Sequence, residues 1–180
     1  MLTAGRNRWR KRVLMVALAV GCAVCGCSDR LAEMQANFEG TWVLESRELP
    51  DGTLFRSPQV TGNLTWASVD SRKAHVSIYV LQEGQGEETP RTFDYAASTY
   101  EISTSAITRK RHLLIRQGYR SSEALPVTVY KKDKTSKGKI SVSEGVVTVS
   151  HEEGFSQVFE GDHMVAVYPG TFTDTWRRLN

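Results

Sequence analysis

The sequence predicts an all-β protein of one domain. Nine or ten short segments alternate apolar and polar residues, turn residues separate them, and no long amphipathic helix interrupts them. Strands so spaced build a sandwich or a barrel, and no internal repeat points to a propeller. Thr41 to Glu48 comes first, with Trp42 and Leu44 on one face and Glu45 and Arg47 on the other. Pro50-Asp51-Gly52 is a turn, because proline presets φ and glycine accepts a positive value. Val60 to Trp66 follows, with Gly62 marking a bulge or a close backbone approach. In Ala74 to Leu81, Val76, Ile78 and Val80 share a face. Gln82 to Arg91 has no large apolar residue and reads as a loop, and Ser98 to Ser103 is a short strand around Tyr100 and Ile102. Ile107 to Arg116 is ambiguous: Ile107, Leu113 and Ile115 share a parity that would also turn Arg109 and Arg111 inward, unless a bulge intervenes. Pro126 to Tyr130, Lys139 to Val142, Val146 to Ser150, Phe155 to Phe159 and Met164 to Tyr168 are further short strands. Thr171 to Leu179 closes the domain, with Phe172 and Trp176 on one parity.

The N-terminus has a different character. Arg6, Arg8, Arg10, Lys11 and Arg12 form a basic region, and the apolar run from Val13 to Gly26 ends in small residues. That is the pattern of a secretory signal. The run supplies 14 residues, whereas a membrane-spanning helix needs about 20. Cys22, Cys25 and Cys27 all lie at the end of this leader, so the domain beyond it has no disulfide and no thiol chemistry, and a metal or redox reading of the three fits their setting poorly. Val24-Cys25-Gly26-Cys27-Ser28 resembles the processing box of bacterial lipoprotein precursors, in which the last cysteine receives lipid and becomes the mature N-terminus. The resemblance implies a signal at 1–26, lipid on Cys27 and an envelope location, at the outer membrane or periplasmic face in a Gram-negative host. The polar stretch that follows, with Leu31 and Met34 its large apolar residues, reads as a tether at 27–37 with room for one helical turn or two. Cys25 departs from the usual Ala or Ser, which leaves Ala19-Val20-Gly21-Cys22 as a rival box and an ordinary secreted protein as a further alternative. Taking the five basic leader residues from the 23 Lys+Arg leaves 18 against 20 Asp+Glu, a net of −2. A near-neutral domain offers no bulk electrostatic case for nucleic acid.

Gly40-Thr41-Trp42-Val43-Leu44-Glu45-Ser46, the Pro50-Asp51-Gly52 turn and Gly62-Asn63-Leu64-Thr65-Trp66 together resemble the bacterial lipocalin-like domain family, as does the closing Thr175-Trp176-Arg177-Arg178-Leu179. The likeness covers about 30 residues and the tail, and is weak from Gln82 to Gly138. It implies a single antiparallel up-and-down barrel over 38–180, of the eight-stranded kind whose interior holds one small ligand. It also implies that Gly40 and Trp42 form the barrel base, with Arg177 or Arg178 stacked on the indole. Ligand-facing candidates in such an interior are Trp66, Tyr79, Arg109 and Arg111.

Catalytic and metal constellations are not legible. His75, His112, His151 and His163 are dispersed, no G-x-S-x-G elbow occurs, and Gly84-Gln85-Gly86 has no following helix to cradle phosphate. No cofactor, no metal and no enzymatic activity are expected. Of two basic runs, Arg109-Lys110-Arg111-His112 suggests an acidic ligand or a bulge, and Lys131-Lys132-Asp133-Lys134 reads as a solvated hairpin tip around Ser136 and Gly138. The reading is a membrane-anchored binder of a small apolar or amphipathic molecule. The alternative is an envelope interaction or inhibitor module with a solid, side-chain-filled barrel.

Overall fold

The structure, a computed structural model, describes residues 30–84, 91–120, 123–124, 126–131 and 133–179. The signal at 1–26 and the lipid site Cys27 lie outside the described residues. A short helix, α1, covers residues 30–38. Thirteen strands follow: β1 (Gly40–Glu48), β2 (Leu54–Arg56), β3 (Val60–Asp70), β4 (Lys73–Gln82), β5 (Arg91–Ile102), β6 (Ala106–Arg120), β7 (Glu123–Ala124), β8 (Thr128–Tyr130), β9 (Lys134–Ser143), β10 (Val146–His151), β11 (Ser156–Glu160), β12 (His163–Tyr168) and β13 (Phe172–Leu179).

Ten of them close an antiparallel up-and-down barrel in the order β1-β3-β4-β5-β6-β9-β10-β11-β12-β13, and β13 returns to pair with β1. This is a lipocalin-like barrel with ten walls instead of eight, and the extra strands widen the interior. β2 pairs with β1, while β7 and β8 pair with the far end of β6. β8 and β9 are two halves of one path along β6: Tyr130 faces Leu114 and Lys134 faces Arg111.

α1 moves the start of the folded domain from Phe38 back to residue 30. Leu31, Met34 and Phe38 recur at helical spacing and are 7%, 1% and 0% exposed, so the segment expected as a tether instead packs an apolar stripe into the core. Phe38 sits 5.0 Å from Trp66 and 4.8 Å from Phe159. A helix leaves its last four carbonyls without internal partners, and all four are satisfied here. Gln35 O accepts from Glu39 N, Phe38 O from Trp42 Nε1 at 3.0 Å, and Ala36 O and Asn37 O from the Arg178 guanidinium at 3.0 and 2.6 Å. Arg178 also stacks 4.5 Å over Trp42. Arg177 faces away and pairs with Glu45 at 2.8 Å. Gly40 lies beneath the Arg178 stem with φ +126°, a backbone conformation that residues with a side chain rarely adopt.

Gly62 is a close approach and not a bulge. It pairs regularly with Val80, and a Cβ there would fall 2.7 Å from Tyr79 O. The bulges lie elsewhere and change which residues point inward. In β1 the register shifts between Leu44 and Ser46, which turns Arg47 from the outer face into the barrel, where it is 7% exposed. In β6 the extra residue is His112: Leu113 pairs with Ala97 and Arg111 with the next residue, Ser98. Arg109 and Arg111 therefore keep the inward parity of Ile107, while Leu114 and Arg116 take it over from the expected Leu113 and Ile115.

Of the expected loop from Gln82 to Arg91, Glu83 and Gly84 lie between strands and 85–90 lie outside the described residues, while two other stretches are strand for longer than expected. β5 begins at Arg91 instead of Ser98, and β9 begins at Lys134, so the lysine run is no hairpin tip. Ser136 is 7% exposed, and a Cβ on Gly138 would meet Ile107 Cγ2 and Ser150 O at 3.0 Å. Small residues at the inward positions of β9 hid that strand from a hydrophobicity pattern. Among the described residues no helix is long and apolar enough to cross a membrane.

Candidate functional site

Above the Phe38–Trp66–Phe159 core the barrel holds a cavity of about 430 Å³. One wall is the β4–β5–β6 sheet, whose inward side chains stack in cross-strand rows. From the core outward these are Ala74, Tyr100 and Arg109; then Val76, Ser98 and Arg111; then Ile78, Ala96 and Leu114; and last Val80, Asp94 and Arg116. The opposite wall is a run of stacked rings. Phe155 lies 3.9 Å from His151 and 5.0 Å from Tyr168, and Tyr168 lies 4.6 Å from Phe172. Arg116, with a side chain 62% exposed, marks the mouth, and Lys134, 58% exposed, lies opposite Arg111 across the β6–β9 ladder.

Five cationic and three carboxylate side chains line this space. Asp174 is bound by Arg47 through two 2.7 Å hydrogen bonds; Arg47 also donates to Gln82 Oε1 and lies 3.8 Å over the Phe172 ring. Burial pushes the Asp174 carboxyl up and the Arg47 contact opposes it, so this pair across the β1–β13 seam is closed on itself. Asp94 pairs with Arg116 at 3.1 Å, and Glu153 pairs with Lys134. The Lys134 hydrogen bond holds Glu153 below its ordinary range. Among the described residues no carboxylate lies within ion-pair distance of Arg109 or Arg111, although Glu153 is near enough for its charge and theirs to act on one another. The Arg109 guanidinium lies 5.7 Å from the Phe155 ring centre, and burial pushes the Tyr100 hydroxyl up while Arg109 opposes it. Desolvation, then the charge of Arg109, pulls Arg111 below its ordinary value. Burial pushes the Tyr168 hydroxyl up to about 12, so it stays a protonated donor.

Of the four ligand-facing candidates, the cavity gathers Arg109 and Arg111 and leaves out Trp66 and Tyr79. Trp66 turns toward the core, 4.6 Å from Tyr100 and 2% exposed. Tyr79 lies between the inward Ile78 and Val80 and so faces outward, 38% exposed, where its hydroxyl accepts from Asn63 Nδ2. Sequence reasoning missed Arg47 and the aromatic wall. Asp174 carried a signal: it sits on the inward parity between Phe172 and Trp176, and a buried carboxylate requires a cation.

A second constellation lies on the outer surface. Thr99 Oγ1 is 2.8 Å from His112 Nε2, and His112 Nδ1 is 3.1 Å from Asp133. The order hydroxyl, imidazole, carboxylate matches a nucleophilic relay, but the surroundings do not. The His112 and Asp133 side chains are 43% and 51% exposed, none of the three lines the cavity, and the strand backbone beside Thr99 is committed to the β4–β5–β6 ladder. Lys110 also holds Asp133, at 2.7 Å, and its hydrogen bond, followed by that of His112, keeps the carboxyl below its usual range. Among the described residues no group of three or more His, Cys, Asp or Glu could hold a metal ion.

Fold and cavity together define a class: a lipocalin-like β-barrel with an internal, partly cationic chamber. No protein-family model matches the chain, and no curated protein or solved structure matches it either.

Proposed function

We propose that the protein is an envelope lipoprotein, anchored by lipid on Cys27, whose barrel binds a small apolar or amphipathic molecule. The observation that carries the binding half is the interior itself. A volume of about 430 Å³ falls within the roughly 300–1,000 Å³ typical of small-molecule sites, and a solid, side-chain-filled barrel would leave no such space. Leu64, Ile78, Val80, Leu114 and Phe172 give it apolar walls, and the arginines and tyrosine hydroxyls give it a few polar fixing points. The anchoring half rests on the Gly26-Cys27-Ser28 box after a basic and then apolar leader. α1 starts at residue 30, so an anchor on Cys27 would hold the barrel close to the membrane surface.

Native mass spectrometry of protein purified from membranes of its own host tests both halves. The expected polypeptide begins at Cys27 with added lipid mass and carries a non-covalent small-molecule adduct. An unmodified N-terminus beginning elsewhere would remove the anchor. A bare barrel that also takes up no apolar probe would remove the ligand.

A further inference from the structure

We propose that the ligand is an anionic amphiphile whose acidic head group, a carboxylate or phosphate monoester, is held at the core end of the β4–β5–β6 wall by Arg109 and Arg111, with its apolar body directed toward the mouth. This rests on the ligand-binding reading of the same cavity and names the chemistry it selects.

The argument begins with charge. Burying a cation is costly unless a partner and hydrogen bonds compensate it. Among the described residues each carboxylate of the cavity has a cation of its own, Asp174 with Arg47, Asp94 with Arg116 and Glu153 with Lys134, and Glu153 also feels the charges of Arg109 and Arg111 from beyond ion-pair distance. The two cations in excess are Arg109 and Arg111, on adjacent inward positions of one strand, where they repel one another. An anion placed between them removes that repulsion and completes the donor capacity of two guanidinium forks, whose geometry suits carboxylate and phosphate oxygens.

Placement gives the orientation. Arg109 shares its row with Tyr100 at the core end of the wall, and Arg111 the next row with Ser98. The rows toward the mouth present Ile78, Ala96 and Leu114, then Val80. Polar fixing groups below and an apolar sleeve above fit a molecule that enters head first. The mouth carries its own closed pair, Arg116 with Asp94, and so offers no comparable excess of positive charge to the head.

The test uses the soluble form starting after Cys27 and four probes of equal chain length: dodecanoate, dodecyl phosphate, dodecanol and dodecyltrimethylammonium, each below its micellar concentration. Displacement of a fluorescent apolar dye reads their affinities. Wild type should prefer at least one acid over the alcohol by about tenfold or more and bind the cation worst; the stronger acid identifies the head group. The double variant Arg109→Gln/Arg111→Gln should bring the acids down to the alcohol while the alcohol still binds, and Arg116→Gln should leave the preference intact. Equal affinity of wild type for acids and alcohol would overturn the head-group assignment alone, as would a preference that survives in the double variant. Failure of all four probes to bind would overturn the ligand-binding reading beneath it.

Discussion

His151 is held neutral by its surroundings. Its ring stacks on Phe155, its Nε2 lies 3.4 Å from Gln157 Oε1, and the residue is 5% exposed. Burial lowers its pKa from 6.5 to about 4; the Gln157 contact and Glu153 oppose this, and the charge of Arg109 adds to it. A histidine depressed in the folded state stabilises the fold while neutral in both states. As pH falls below 6.5 the unfolded chain takes up a proton that the native one refuses, so stability is lost progressively down to about 4. The loss is at most about 3 kcal/mol. Urea midpoints at pH 7 and 4.5 should therefore converge for His151→Gln relative to wild type; parallel acid sensitivity in the two proteins would show that His151 is not the group responsible. Inward residues such as this were only partly legible from sequence. The parity of Arg109 and Arg111 was readable, but that of Arg47 was not. A bulge is one unpaired residue with no composition of its own, and it reverses every side chain beyond it.

At the scale of elements, α1 and β13 are joined through one side chain. Arg178 stacks on Trp42 and donates to the carbonyls of Ala36 and Asn37, so the helix docks by its C-terminus as well as by Leu31, Met34 and Phe38. Replacing Arg178 with Met keeps part of the stem over Gly40 and removes the guanidinium. The expected cost is about 2–4 kcal/mol, from charge-assisted hydrogen bonds and a cation–π contact. Hydrogen exchange should show the helix amides opening before those of β3 to β5, and unchanged helix protection would mean that the apolar stripe alone holds α1. The barrel-base role of Gly40, Trp42 and a closing-strand arginine was legible because these residues form a local motif with a stated geometry. The helix was legible only as a turn or two within a tether, because three apolar residues among polar ones make a stripe too weak to show that it docks into the core. The start of β5 was missed for the opposite reason: its inward face lines a cavity and carries Asp94, Ala96 and Ser98, which erases the alternation by which a strand is recognised.

For the whole molecule, closure of ten strands leaves the upper half of the barrel open inside while α1 and the large aromatic side chains fill the lower half. Charge is distributed to match among the described residues: ion pairs at the seam and mouth, and between them Arg109 and Arg111, the two cations by which the cavity's positive groups outnumber its carboxylates. The central claim is that this interior is the binding site, and filling it tests that directly. Ala96 lies midway along the β4–β5–β6 wall between Ile78 and Leu114, and the space before it can accept a larger side chain without displacing the core. One-to-one titration of an apolar fluorescent dye into wild type and Ala96→Trp is the decisive comparison, with urea unfolding to confirm that both are folded. The account predicts a stability at least equal to wild type and dye binding weakened by about tenfold or more; an Ala96→Trp protein that is folded and binds the dye as tightly as wild type would contradict it.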